Sequence, residues 1–253
     1  MVIIKSEREI ELMKKAGYAV AQAFKVIGEK IRPGMTTMDV DSIVEQIFAA
    51  NGCTSAEKGY YGYPANACVS VNEELVHGIP SKSKFLKEGD IVSVDLVANY
   101  KGYMADACRT FAVGKLSPNA ARLVKVTKDA FFEGLKQVVV GNTIGDISHA
   151  VQTFVESNGY NVAREYTGHG IGANMHEDPS IPNFGKAGTG VLIRPGMTLC
   201  IEPMVMEGKK DLRVLPDGWT AVSRDKKLTA HYENTVVVTS NGYEIITMYE
   251  GEE

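Results

Sequence analysis

Asp95 and Asp106 flank the turn-forming residues Asn99-Tyr100-Lys101-Gly102 inside the stretch DIVSVDLVANYKGYMADACRT. Ile91 to Val97 is a run of β-branched and apolar residues, and an extended segment follows the turn to Val113, so the stretch reads as a β-hairpin. A turn centred between Tyr100 and Lys101 sets Asp95 directly opposite Asp106. Opposed Cβ atoms in such a ladder are about 5 Å apart, a spacing at which like charges destabilise. A proton shared by the pair, or a cation bound by both, would relieve the repulsion. A register displaced by one residue, or solvation at a sheet edge, would leave the pair without a role.

Other groups able to bind cations or move protons lie further along the chain. Glu202 closes the run PGMTLCIE, and Glu233 interrupts an otherwise apolar strand between Ala230 and Met248, a section that reads as two strands around Ser240-Asn241-Gly242. His169 and His176 lie in TGHGIGANMHEDP, where Gly168, Gly170 and Gly172 allow close backbone approach. Four carboxylates on strand-like segments, with one or more glycine-flanked histidines, are too many acids to bury alone. Ionised carboxylates in a core are very costly unless paired or bound to metal, and no strand supplies a matching Lys or Arg. Oxygen-rich ligands with a single imidazole suit Mn²⁺, Fe²⁺, Co²⁺ or Zn²⁺. Two such ions about 3.5 to 4 Å apart would bridge and deprotonate a water for attack on a carbonyl or phosphoryl centre.

The elements that position these groups follow from periodicity. Ser6 with Glu9 forms a capping box, and Ile10, Met13, Gly17, Val20, Phe24 and Ile27 continue a helix to about Lys30. Arg32-Pro33-Gly34 breaks it. Thr36 or Thr37 then caps a second helix, with Val40, Ile43, Val44, Ile47 and Phe48 on one face, that ends at Asn51-Gly52. Thr54 to Ala67 reads as an irregular loop, Cys68 to Val71 as a short strand, and Asn119 to about Val139 as a third helix. Gly34, Thr36, Asp39, Val44, Asn51 and Gly52 recur as Gly141, Thr143, Asp146, Val151, Asn158 and Gly159, all at an offset of 107 residues. The same offset carries Gly89 to Gly196 and Asp95 to Glu202. The sequence thus divides into two pseudo-symmetric halves, each ending a strand in an acid, and half-sheets meeting about a pseudo-dyad would bring Asp95 and Glu202 together. His149, equivalent to Ser42, reads as a surface residue.

Composition sets the outer limits. The 253 residues are 44% hydrophobic and 23% charged, with a net charge of −4 and no low-complexity tract, which argues against a nucleic-acid-coating function. The N-terminus MVIIKSEREIELMKK is too charged for a signal peptide, no stretch has the roughly 20 apolar residues of a membrane helix, and the expected location is the cytoplasm. Cys53, Cys68, Cys108 and Cys200 show no CxxC pairing and read as small buried residues rather than a disulfide framework.

The constellation strongly resembles the type I methionine aminopeptidases in their short bacterial form, over essentially the whole chain. It is carried by NEELVHGIP at 72–80, DIVSVDL with DACRTF in the hairpin, YTGHGIGANMHEDP at 166–179, PGMTLCIEP at 195–203 and YENTVVV at 232–238. The resemblance implies the α+β pita-bread fold of the creatinase and aminopeptidase group, two pseudo-symmetric α/β halves around a central antiparallel sheet. Residues 1–253 would form one catalytic domain, with its repeat at about 6–113 and 119–239. It implies two divalent ions, Co, Mn, Fe or Zn, held by Asp95, Asp106, His169, Glu202 and Glu233. Asp106 and Glu233 would bridge both, His169 and Glu202 would complete one ion and Asp95 the other. His77 and His176 would contact the scissile amide and stabilise its oxyanion. Glu202 would also carry the proton of the attacking water, and Tyr60, Tyr63, Cys68, Met175 and Trp219 would form an apolar methionine pocket. The backbone around Asn72, Glu74 and Thr229 resembles the family's monovalent cation site for Na⁺ or K⁺.

The sequence departs from the family's habits at Tyr61 (often His), Met175 (commonly Phe or Leu), His231 (often Gln) and Asn234 (often His), none of which removes a ligand. The implied activity is removal of N-terminal methionine from peptides and nascent chains whose second residue is small. The enzyme would be a monomer in transient contact with the ribosome, without sequence-specific nucleic-acid or membrane binding. Three other readings stand beside it. An X-Pro aminopeptidase or dipeptidase on the same fold usually carries a large extra N-terminal domain, whereas here the repeat begins almost at residue 1. A non-catalytic peptide-binding module would not need five intact ligand positions. A di-metal phosphoesterase would call for an anion cradle, and only Arg109 is near the hairpin acids in sequence.

Overall fold

Four helices and two main antiparallel sheets make up the computed structural model, which describes residues 1–252. Helix α1, Glu7–Lys30, starts at the Ser6–Glu9 capping box and buries Met13, Val20, Phe24 and Ile27. Gly17 sits where a Cβ would fall 2.1 Å from the Ile246 carbonyl oxygen, so only glycine allows the helix to pack this closely on the C-terminal segment. Helix α2, Thr37–Ala50, is capped by Thr36 with Asp39. Helix α3 spans Pro118–Leu135 behind Ser117, four residues shorter at its C-terminal end than periodicity suggests. Helix α4, Ile144–Ser157, begins at a Thr143–Asp146 capping box. Helices α2 and α4 are both 14 residues long and start 107 residues apart. The isolated bridges Thr36–Phe85 and Thr143–Leu192 keep the same offset.

The first sheet is built on the hairpin. Strand Ile91–Tyr100 pairs with Tyr103–Ala112 on one side, and with Cys68–Val71 and Thr54–Ser55 on the other. The hairpin register differs from the expected one by two residues. Tyr100 pairs with Tyr103, so Asp95 lies opposite Cys108 and Asp106 lies opposite Val97. The turn is Lys101-Gly102, whose φ angles of +52° and +89° suit a tight hairpin connection. Because side chains alternate with period two, an even shift keeps every residue on its face. Asp95 and Asp106 are therefore diagonal neighbours on one face instead of directly opposed. On that face Ser93 and Thr110 hydroxyls share a hydrogen bond of 2.8 Å.

The other face of the hairpin, with Val92, Val94, Leu96, Ala98, Ala105 and Ala107, joins α1 and α2 in the largest core cluster. Arg109 is on this helical face, its guanidinium 4.9 Å from the Phe24 ring centroid and 4.4 Å from that of Tyr232, paired with Glu252. It faces away from the acids it neighbours in sequence.

The second sheet runs in the order Gly242–Ile245, Asn234–Thr239, Thr198–Ile201, Thr167–Gly170, Glu177–Pro182, and packs against α3 and α4. The C-terminal section is not two strands but three, Thr229–His231, Asn234–Thr239 and Gly242–Ile245, with Tyr232 and Glu233 in the break between the first two. The two sheets meet where Glu233 N–H donates to the Cys108 carbonyl at 3.0 Å and Cys108 N–H donates back at 3.4 Å. The Thr235 hydroxyl seals the seam. It accepts from Asp106 N–H at 2.9 Å and donates to Asp106 C=O at 2.8 Å. Among the described residues no helix is long and apolar enough to cross a membrane.

Candidate metal centre and substrate cavity

The seam between the sheets gathers the acids. Asp95 projects from the centre of its strand, Asp106 from the neighbouring strand, and Glu233 from the break beside Cys108. Glu202 follows the end of strand Thr198–Ile201, so its equivalence to Asp95 is one of position along the chain while the strands differ in length. His169 belongs to strand Thr167–Gly170 and pairs with Cys200. Asp106, His169, Glu202 and Glu233 are between 2% and 8% exposed. Asp95 and Asp106 are close enough for each carboxyl to influence the titration of the other.

Among the described residues no Lys or Arg forms an ion pair with this cluster. Oδ1 of Asp95 and of Asp106, and Oε1 of Glu202 and of Glu233, are enclosed and have no hydrogen-bond partner among the described residues. Each such orphan costs about 1–3 kcal/mol, and more when charged. His169 adds a second kind of mismatch. Its Nδ1 is 2.9 Å from the Gly170 carbonyl, which can only accept, so the proton is on Nδ1 and Nε2 presents a lone pair. That lone pair faces Asp106 Oδ2 at 3.6 Å and Glu202 Oε1 at 3.5 Å. Burial also holds His169 at a pKa of about 3, so it is neutral near pH 7. Electron-rich atoms converging on one another fit a divalent cation, and donor atoms of Asp106, His169, Cys200 and Glu233 lie within 4.8 Å of one another, as do those of Glu202, His231 and Glu233.

A cavity of about 200 Å³ opens onto the cluster. All twelve residues singled out from the sequence line it. Beyond the four acids and His169 they are His77 and His176, and the apolar-walled group Tyr60, Tyr63, Cys68, Met175 and Trp219. Tyr63 and Trp219 rings meet edge to face at 5.1 Å, and the Tyr63 hydroxyl is anchored on the Gly78 carbonyl at 3.0 Å. His77 has φ +60°, a backbone conformation that a β-carbon disfavours, and its ring stands edge-on to Tyr166. The Tyr60 hydroxyl lies 2.9 Å from His176 Nδ1.

Glu57 and His231 are among the lining residues that sequence reasoning does not place in the site. Glu57, in the segment read as a loop, is 6% exposed, and Oε2 is unpartnered. Burial, then the Asp95 and Asp106 charges, push its carboxyl well above the ordinary range. His231 stands beside Glu202 and Glu233. Of the other departures, Met175 lines the cavity, Tyr61 is exposed, and Asn234 accepts from Arg109 at 2.7 Å on the helical side. His149 is exposed, 3.3 Å from the Gly185 carbonyl. All four cysteines are buried and free. At the expected monovalent site the Asn72 carbonyl accepts from both N–H and hydroxyl of Thr229, at 2.9 and 3.0 Å.

The acids give the metal-free protein a distinct pH response. Burial raises Asp95 to about 7, and burial with mutual repulsion holds Asp106, Glu202 and Glu233 well above their ordinary values. Above the unfolded carboxylate pKa, the folded state therefore binds more protons than the unfolded state, and stability falls as pH rises. His169 and His231, both lowered to about 3 by burial, act oppositely, but only below the ordinary histidine value of 6.5. Above pH 6.5 the histidine contribution fades and the acids set the slope, joined toward pH 8.5 by the buried cysteines, whose raised thiols act in the same direction. Thermal melts in chelator should fall between pH 6.5 and 8.5, at about 1.4 kcal/mol per pH unit for each proton released. Saturating Mn²⁺ should flatten that slope, and a flat profile in chelator would contradict the burial of four mutually repelling acids.

Residues 11–240 match metallopeptidase family M24. The chain is 49% identical over 250 residues to a methionine aminopeptidase of Clostridium acetobutylicum, covering 99% of this chain and 100% of the relative. It superposes on the crystal structure of methionine aminopeptidase from Thermotoga maritima with a TM-score of 0.97 at 50% identity, covering 98% of this chain and all of that one. A prolidase from Pyrococcus furiosus superposes with a TM-score of 0.79 at 25% identity, covering 98% of this chain but 66% of the prolidase.

Proposed function

The chain belongs to metallopeptidase family M24, and from that premise we propose that Asp95, Asp106, His169, Glu202 and Glu233 hold two divalent ions that serve hydrolysis of the first peptide bond of a methionine-initiated chain. The architecture is the pita-bread fold. The activity is metal-dependent removal of N-terminal methionine. Its substrates are peptides and nascent chains with a small second residue, met by a cytoplasmic monomer in passing contact with the ribosome. Residues 1–253 act as one catalytic domain of two pseudo-symmetric halves.

The observation that carries the metal reading is the set of four enclosed, unpartnered carboxylate oxygens at the wall of one cavity, where the His169 lone pair also faces Asp106 and Glu202. Divalent ions bound there supply Lewis-acid polarisation of the scissile carbonyl and a water acidic enough to lose its proton near pH 7. The protein supplies the rest. Tyr63, Cys68, Met175 and Trp219 give the methionine side chain an apolar, polarisable wall suited to a flexible thioether. His77 and His176, both held below the ordinary histidine pKa chiefly by burial, are neutral and able to hydrogen-bond the amide without adding charge. Glu202 takes the proton of the attacking water and delivers it to the departing amine.

One assay separates this function from its rivals. Metal-stripped protein is given a Met-Ala-Ser peptide, a Xaa-Pro dipeptide and a phosphodiester, with and without Mn²⁺, Fe²⁺ or Co²⁺. Metal-dependent release of methionine from the first alone is expected. Cleavage of the Xaa-Pro substrate instead, or activity that survives thorough chelation, would overturn the proposal.

A further inference from the structure

His231 ends the strand Thr229–His231 and is 1% exposed. Its backbone is pinned twice to one residue, accepting from the Thr110 hydroxyl at 2.8 Å and donating to it at 3.1 Å. Its ring is not pinned at all. Neither Nδ1 nor Nε2 has a hydrogen-bond partner among the described residues. A buried imidazole left this way is costly, on the order of 1–3 kcal/mol for each unmet group, and no group among the described residues satisfies it.

What the ring faces is the acid cluster. Nε2 is 3.9 Å from Glu202 Oε2 and 3.7 Å from Glu233 Oε2, both too long for hydrogen bonds. His169 holds the same relation to Asp106 and Glu202, at 3.6 and 3.5 Å. Two donors bound to one ion at about 2.1 Å each can be no more than about 4.2 Å apart. All four separations fall under that limit. His231 and His169 therefore flank Glu202 as comparable donors, and His231 reaches Glu233 as His169 reaches Asp106.

We propose that His231 is a sixth ligand of the dinuclear centre, a second imidazole beside His169, held in place by its reciprocal contacts with Thr110. This rests on the reading of the acid cluster as a metal site. The added nitrogen makes the donor set softer and shifts preference from Mn²⁺ toward Co²⁺ and Zn²⁺.

Calorimetric titration of metal-stripped wild type and His231→Gln with Co²⁺, Zn²⁺ and Mn²⁺ tests the preference. The variant should weaken Co²⁺ and Zn²⁺ binding by about 10–100-fold, a loss of the size seen when metal-site support is removed, and Mn²⁺ binding by clearly less. The Co²⁺ visible absorption bands should shift in the same variant. X-ray absorption of the Zn²⁺-loaded wild type should fit two imidazoles per dinuclear centre, falling to one in His231→Gln, and the wild-type count stands even if the variant fails to fold. One imidazole in wild type, or unchanged spectra and affinities in the variant, would overturn the sixth ligand while leaving the metal centre intact. Failure of the wild type to bind any divalent ion would overturn both.

Discussion

Replacing Glu202 with alanine is expected to remove nearly all turnover, with kcat falling by at least 10²–10⁴-fold, the range of a lost proton-transfer group. The size follows from the double position of this residue. Its carboxylate stands 3.5 Å from His169 Nε2 inside the ligand cluster, and its enclosed Oε1 has no hydrogen-bond partner among the described residues. Loss of the side chain therefore weakens the metal cradle and removes the base in one step. Glu202→Gln separates the two, because the amide keeps the shape but carries no proton away from water. It should lose turnover on the same scale. Neither variant should fail for want of stability. Burial, then the charges of Asp106 and Asp95, disfavour ionised Glu202 in the metal-free fold, so removing its charge relieves a repulsion. Melting of the chelated Glu202→Gln protein at pH 8 should be no lower than wild type. A near-normal kcat in either variant, measured on Met-Ala-Ser at saturating metal, would refute the role.

How far the sequence disclosed this arrangement depended on periodicity. Helices α1 and α2 were legible because capping boxes at Ser6 and Thr36 and apolar residues at helical spacing fix their starts and faces. The expected hairpin register is off by two residues, since the Tyr100-Lys101 and Lys101-Gly102 turns have similar chemistry. The even slip left both aspartates on the same face, so the inference of a shared charge problem survived the wrong register. The break at Tyr232-Glu233 is not legible because a single acid such as Glu233 inside a strand-like segment does not say whether pairing stops there or the strand carries on. His231 could have been found. It lies two residues before Glu233, the spacing at which side chains in an extended chain share a face. Glu57 could not, because the irregular segment around it has no period from which to assign a face.

His176→Ala should lower kcat by about 10²–10³-fold, near 2.7–4 kcal/mol, the effect of removing one preorganised donor to a developing oxyanion. The magnitude follows from what fixes the ring. Its Nδ1 lies 2.9 Å from the Tyr60 hydroxyl, and when that hydroxyl donates, the imidazole proton is left on Nε2 as a hydrogen-bond donor. Its ring stacks edge-on to His169 with centroids 4.3 Å apart, close to the cluster but outside the groups of donor atoms that converge there. The loss should therefore fall on kcat, with metal content by elemental analysis matching wild type. Tyr60→Phe provides the graded control. It leaves the imidazole in place but frees its tautomer, so it should cost activity in the same direction and by less. If His176→Ala lost metal in proportion to activity, the residue would be a ligand. If it kept kcat and raised only KM, it would bind substrate without acting on the transition state.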